Sequence, residues 1–221
     1  MAIDSIVQSD KSLELYELAQ DISSLLKVDL GSGTVPSEKA MVDQQNSLMK
    51  YRNYLVSVII EKEIDPADNN LMLEEFLSQY GLELPFDIKK YIDEGDIVEI
   101  YSEDFVQIYR NSEFFKFCSY DIYTILSNPF DKLFRRDPEI TEAIVKRAIA
   151  CMGAAKGVEP AGVPPHLMQE HFARNSKVFK IHHKWCSPVL SKETGAVMGF
   201  FCSQRAELYS ESNVVGIGIS N

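Results

Sequence analysis

The residues best suited to chemistry gather in two runs near the C-terminal end of the chain, Val178 to Leu190, VFKIHHKWCSPVL, and Ala196 to Leu208, AVMGFFCSQRAEL. His182 and His183 are adjacent, and adjacent strand residues point to opposite faces, so only one can line a given site unless a bulge intervenes. By period-two spacing His183 shares a face with Phe179, Ile181, Trp185 and Val189, whereas Val178, Lys180, His182, Lys184 and Cys186 fall on the other. One face reads as buried and the other as half-wet. A packed or hydrogen-bonded imidazole is the commonest outcome in such a setting. A zinc site from His182, His183, Cys186 and Cys202 lacks the paired Cys or His spacing that brings four ligands together locally. A Cys-His catalytic pair lacks any surrounding phrase for a nucleophile elbow or an oxyanion loop. The four cysteines, Cys118, Cys151, Cys186 and Cys202, sit on apolar segments without CxxC spacing. They are expected as reduced, packed thiols rather than a disulfide framework, with Cys186 and Cys202 candidates to face each other across a hairpin.

Elsewhere chemistry is sparse. The carboxylate pairs Glu74-Glu75, Glu61 with Glu63 and Asp93-Glu94 lie at charged helix ends or in loops, where solvation explains them. GSGT at 31 to 34 lacks the Lys-Ser or Lys-Thr of a phosphate loop and follows no clear strand. Arg135-Arg136 precedes a helix start and suits solvation or an ion pair with acidic residues. The net charge of −11 over 221 residues argues against a nucleic-acid surface, which needs clustered Lys and Arg. No apolar run approaches the roughly 18 residues of a spanning helix. The start, MAIDSIVQSDKSLELYE, has neither the basic nor the apolar stretch of a secretory leader. The expectation is a cytoplasmic protein without membrane insertion.

The elements that must hold these residues follow from hydrophobic period and punctuation. The two C-terminal runs, split by SKETG ending in Gly195, read as a β-hairpin. From Asp96, DIVEIYSED and FVQIYRN read as a second hairpin. SEFFKFCSY, DIYTILSN and PFDKLF read as short helical turns, broken at Asn128-Pro129. Asp137-Pro138 starts a longer helix with Ile140, Ile144, Val145, Ala148, Ile149 and Met152 on one side. GVEPAGVPP reads as a loop and HLMQEHFARN as a short helix or irregular segment. Ahead of Asp96 the spacing predicts helices over 10–26, 37–63 and 71–80, then a short helix in FDIKKYIDEG. Residues 1–95 carry 8 Lys or Arg against 18 Asp or Glu, and residues 96–221 carry 14 against 15. That break predicts an acidic helical region over 1–95 and a second domain over 96–221.

Strand, strand, short helices, a longer helix and a strand pair is the element order of a PAS domain, and over about residues 96 to 208 the chain resembles that family. FVQIYRNSEFFKFCSYDIYTILSNPFDKLF is similar to the phrase in which a second strand ends at an Asn, here Asn111, before an aromatic-rich helix and an N-P-x-x-x-L-F run. HHKWCSPVLSKETGAVMGFFCSQRAEL is similar to the closing strands, where x-P-V precedes a Gly turn and a G-x-V-x-G-F strand. The resemblance implies an α+β fold, an antiparallel PAS-like sheet with short helices on one face, here preceded by the α-helical region. It implies a ligand pocket bordered by those helices and the closing strands, with Phe114, Phe117, Tyr120, Tyr123, Phe134, His183, Trp185 and Phe201 as ligand-binding candidates. In such a pocket His183 can act as the axial ligand of a haem. Two departures bear on the pocket. Where the family places a strand before the penultimate one, this chain has GVEPAGVPPHLMQEHFARN, which reads poorly as a strand and predicts a remodelled or partly open wall. The Asn-Cys-Arg-Phe phrase of light-sensing flavin-binding PAS domains is absent, which argues against a cysteine photoadduct.

No kinase, DNA-binding, cyclase or hydrolase phrase is present, so the expected output is contact with a signalling partner protein. The reading is a regulatory protein, a homodimer through its N-terminal helices, whose PAS-like domain senses a small ligand or binds a partner and transmits this through those helices. The alternatives are a structural adaptor whose PAS core is filled by its own side chains, a haem sensor using His183, and a small-molecule enzyme with His183 as general base. The last lacks a second catalytic group. No catalytic residue and no metal ligand is assigned.

Overall fold

The structure, a computed structural model, describes residues 17–18, 20–26, 49–103, 105, 107–120, 133–154, 159–171 and 177–211. In chain order these form α1 (residues 17–18 and 20–26), α2 (49–55, continued by a π-helical turn Val56–Glu61), α3 (Asn69–Gln79), β1 (Leu82–Glu83), β2 (Ile97–Ser102) and β3 (Gln107–Arg110). There follow a 3-10 turn (Ser112–Lys116), β4 (Phe134–Arg135), α4 (Pro138–Ala154), β5 (Glu159–Pro160), β6 (His166–Glu170), β7 (Lys177–Ser191) and β8 (Val197–Glu211). The architecture is mixed helix and strand around one curled antiparallel sheet of order β3-β2-β8-β7-β6-β4, with β1 and β5 added along β7. The expected stretches 10–16, 37–48 and 121–128 lie outside the described residues.

The sheet is built on the β7/β8 hairpin, whose Val, Ile, Phe and Trp content favours a pleated, half-buried surface. Its turn closes with Gly195 at φ 67°, a conformation that costs glycine little, and with the Gly195 N–H donating to Ser191 O at 2.8 Å. The second expected hairpin also forms, as β2 paired with β3. Asn111 fastens it from beyond its end: Val98 N–H donates to Asn111 Oδ1 at 3.0 Å, and Asn111 Nδ2 donates to Asp96 O at 2.7 Å.

The sheet has two covered faces. On one, Val98, Ile100, Val189 and Phe201 share a buried cluster with Ile22, Tyr54, Leu55, Val58, Leu73 and Phe76 from α1, α2 and α3. On the other, Ile97, Phe179, Ile181 and Ala206 pack with Phe114, Tyr120, Leu133, Phe134 and Met168, and α4 lies across the remainder.

Three local expectations are corrected. HLMQEHFARN contains a strand, since β6 pairs with β7 from His166↔Ile181 to Gln169↔Val178. Its buried positions alternate as a strand requires, but two of them are His166 and Glu170, so the apolar alternation is disguised. Glu170 survives burial because its carboxylate accepts from Ser119 N–H and, at 3.0 Å, from Lys177 N–H. Phe134, expected on a helical turn, lies in β4, drawn into extended form by pairing with Glu170. The common face of His183 with Trp185 and Val189 is broken by a bulge: His183 pairs with Gln204 and Trp185 with Ser203, leaving Lys184 as an extra residue. Phe179, Ile181 and His183 therefore face α4, and Trp185 and Val189 face α1 to α3.

Candidate cleft between helix and sheet

Asp137 opens α4 by accepting from Glu139 N–H at 2.8 Å, with Pro138 at the first helical position. The helix then presents a wider apolar stripe than it buries. Ala148 and Cys151 are seated at 4% exposure each, while Val145 and Ile149 remain 39% and 56% exposed. Between this helix and the sheet lies a cleft of about 1160 Å³ with apolar walls that include Phe105, Phe134, Ile144, Val145, Val163 and Phe200. Tyr101 stacks on Phe200 with ring centroids 5.1 Å apart and planes within 10°.

The floor of the cleft is polar. Glu99, 3% exposed, carries a carboxylate that accepts from Gln107 Nε2 and Gln204 Nε2 at 3.0 Å each, from the Cys202 thiol at 3.6 Å and from the Arg110 guanidinium. Arg110, 2% exposed, lies 4.1 Å above the Phe114 ring. Burial, the largest influence, lowers the Arg110 pKa, but the Glu99 charge together with Tyr101 and Cys118 more than offsets this and holds it above the ordinary value. The floor is thus an ion pair rather than a free charge.

His183 is different. Its ring stacks on His166 with centroids 5.4 Å apart. His166 is held by Nδ1–H donating to Pro164 O at 3.1 Å. Burial, then the neighbouring His166 and Arg136, push the His183 pKa down to about 3, so the imidazole is neutral. Among the described residues its buried Nε2 has no hydrogen-bond partner.

Two thiols stand in the cleft wall. All four cysteines are free. Cys186 and Cys202 stand directly opposite in the hairpin register, and both line the cleft. The Cys151 thiol on α4 holds the Cys186 pKa below the usual thiol value, with burial acting against it and Arg147 in the same direction. Burial pushes the Cys118 thiol up to about 12, and burial followed by the Glu99 charge pushes Cys202 well above its ordinary value.

Of the residues singled out by sequence, Phe134 and His183 line the cleft. Phe114 and Tyr120 are buried in the cluster beside it, with Tyr120 OH donating to Leu133 O at 3.0 Å, and Phe117 packs partly buried against the same cluster. Trp185 and Phe201 stand on the opposite face, meeting Tyr91 at 5.2 Å and Phe86 at 5.4 Å between ring centroids. Tyr123 lies outside the described residues. The sequence reading missed Glu99, Tyr101, Arg136, Arg147, Phe200 and Gln204, all of which line the cleft. The period-two patterns Glu99/Tyr101 and Phe200/Cys202/Gln204 carried that signal, hidden because polar residues on a strand read as solvent-facing.

No protein-family model matches this chain, and no curated protein matches it. Among the described residues no helix is long and apolar enough to cross a membrane, and no group of three or more His, Cys, Asp or Glu is placed to hold a metal ion.

Proposed function

We propose that this chain is a PAS-like signalling protein whose cleft between α4 and the sheet takes a small ligand. Ligand state is passed through the sheet to α1, α2 and α3 on the opposite face, where a partner protein reads it. The observation that carries this reading is the cleft itself: about 1160 Å³, with largely apolar walls and the buried, unpartnered Nε2 of a half-buried, neutral His183. A concave apolar site with a few convergent polar groups is the usual form of a small-molecule pocket. The PAS-like reading is supported by the element order and by β6, which occupies the position where the family has a strand and the sequence had suggested none. It is supported further by Asn111, which ends β3 and ties it to the start of β2. Fold likeness alone assigns no function, so the weight rests on the cleft. The polar demand there is narrow, because Glu99 is already paired, His183 is neutral, and the charged residues of the walls are engaged, Arg135 with His171, Arg136 with Met168 Sδ, Lys146 with Glu142 and Arg147 with Glu159. An uncharged, largely apolar or aromatic ligand with one hydrogen-bonding group for His183 meets it.

Native mass spectrometry of freshly purified protein, together with thermal shift against a library of small aromatic and aliphatic compounds, tests the reading. Bound mass, or stabilisation that falls about tenfold in affinity when His183→Ala removes one hydrogen bond, is the expected result. Hydrogen exchange that also changes in α1 to α3 supports the transmission step. A Soret absorption band lost in His183→Ala identifies haem as the ligand. Absence of any ligand-dependent shift, with the cleft residues fully protected from exchange, sinks the sensory reading in favour of a filled adaptor.

A further inference from the structure

We propose that the β-bulge at Lys184 carries the state of the cleft across the sheet to the helical cover, with Lys184 as the strut and the turn at 93–96 as the receiver. This inference rests on the reading of the cleft as a ligand site and names the route which that reading needs. Lys184 is tied in two directions. Its carbonyl accepts from Ala161 N–H at 2.9 Å, and Ala161 lines the cleft. Its ammonium donates to Asp93 Oδ2 at 2.9 Å and to the fully buried Asp96 carboxylate. The sequence neighbours of Lys184 divide between the faces. His183 lines the cleft, whereas the Trp185 ring lies 5.2 Å from that of Tyr91, which in turn meets Phe86 at 5.1 Å. Phe86 and Tyr91 belong to the segment that joins α3 and β1 to β2. Lys184 and Trp185 therefore grip that segment at two points, by an ion pair and by a ring pair.

The receiving turn is braced to move as one piece. Asp93 N–H donates to Asp96 Oδ2 at 3.0 Å, Asp96 N–H donates to Asp93 O at 3.1 Å, and Gly95 takes the φ of 79° between them. Arg205 of β8 holds the same turn, pairing with Asp96 at 3.0 Å and donating to Glu94 O at 2.9 Å. A bulge leaves its extra residue outside the ladder, so Lys184 is placed by Ala161, Asp93 and Asp96 rather than by a partner in β8. Packed surroundings of this kind switch between discrete arrangements instead of deforming smoothly. An occupied cleft moves the wall that carries Ala161 and His183. The Lys184 carbonyl follows Ala161, its ammonium draws on Asp93 and Asp96, and Trp185 repacks on Tyr91. A ligand biases the two arrangements only as far as it contacts the wall differently in each.

The test uses the full chain and needs no ligand. Ile144→Phe and Val145→Phe each enlarge a cleft-lining side chain, and so mimic an occupied cleft from α4 rather than from β7. Trp185 is the single tryptophan of the chain, so its emission and acrylamide quenching read the helix face directly, while hydrogen exchange reads residues 86–96. The expected result is altered Trp185 emission and exchange over 91–96 that changes at least about threefold, lost in the Lys184→Met background and retained with Lys184→Arg. Arg205 keeps the Asp96 charge paired in Lys184→Met, which is therefore expected to fold. Silence of Trp185 and of 91–96 in both filled variants, or the same response with and without the Lys184 cation, overturns the route. So does exchange that rises evenly over the whole chain, which is loss of stability alone. Changes in α1 to α3 with Trp185 silent overturn the route and leave the ligand reading standing. A Lys184-dependent response in a protein that no small compound binds or stabilises does the reverse.

Discussion

Glu99 and Arg110 show how a charged pair is kept inside an apolar sheet. Taking two charges out of water costs several kcal/mol each, and the cost is met only when geometry and further hydrogen bonds complete the pair. Glu99 has four donors and Arg110 has a carboxylate and the Phe114 ring. Removing one member strands the other: Arg110→Met is expected to destabilise by about 3–5 kcal/mol in urea titration, and Glu99→Leu combined with Arg110→Met by distinctly less. His183 gives a pH signature. Its pKa in the folded chain is depressed to about 3 against an ordinary 6.5, through burial first and then His166 and Arg136. Between those values the unfolded chain binds more protons. Stability is therefore full above the ordinary value and falls as pH drops through that window, by up to about 1.4 kcal/mol per pH unit. His183→Gln should flatten that fall, measured as the difference between denaturant midpoints at neutral pH and in mild acid. An equally steep fall in the variant would assign the acid sensitivity to other groups.

The elements differ in how openly the sequence declared them. Both hairpins and the start of α4 were legible because each combines a period with a punctuating residue: Gly195 for β7/β8, Asn111 for β2/β3, Asp137-Pro138 for the helix. Strand β6 was not, since two of its three inward positions are His166 and Glu170, residue types that signal solvent. The bulge at Lys184 was not legible either, because a bulge depends on which residues of β8 stand opposite, and no local pattern in β7 encodes that. Its consequence is large, for it decides that His183 and Trp185 belong to different faces. For the same reason Glu99 and Gln204 were overlooked as cleft residues. Gly199 is a further case that sequence leaves mute. It sits at φ 154°, opposite Ser102, where an added Cβ would fall 2.0 Å from Tyr101 O. Gly199→Ala must push β2 and β8 apart, and a loss of about 2 kcal/mol or more is expected in thermal or urea unfolding. An unchanged midpoint would mean that the two strands separate there at little cost.

At the scale of the whole molecule, α1, α2 and α3 cover one face of the sheet and α4 loosely covers the other. The charge break near Gly95 was legible, but charge says nothing about packing, and the helices share one buried cluster with Val98, Ile100, Val189 and Phe201. A chain reduced to residues 96–221 would present those four side chains to water. It is expected to bind a hydrophobic dye strongly and to self-associate in size-exclusion chromatography, while the full chain does neither to the same degree. A well-behaved fragment with weak dye binding would show that the helical cover is dispensable. The arrangement of β2 also governs how the molecule comes together in time. Its inner neighbour is β8, and the contact of Cys202 with Glu99 joins residues 103 apart in sequence. The β7/β8 hairpin can close locally, but β2 gains its partner only after a long loop is closed, which is entropically slow. During synthesis β2 and β3 therefore wait with an open backbone edge until residues 197–211 have emerged. That interval is when this chain is most exposed to mispairing and most in need of a chaperone.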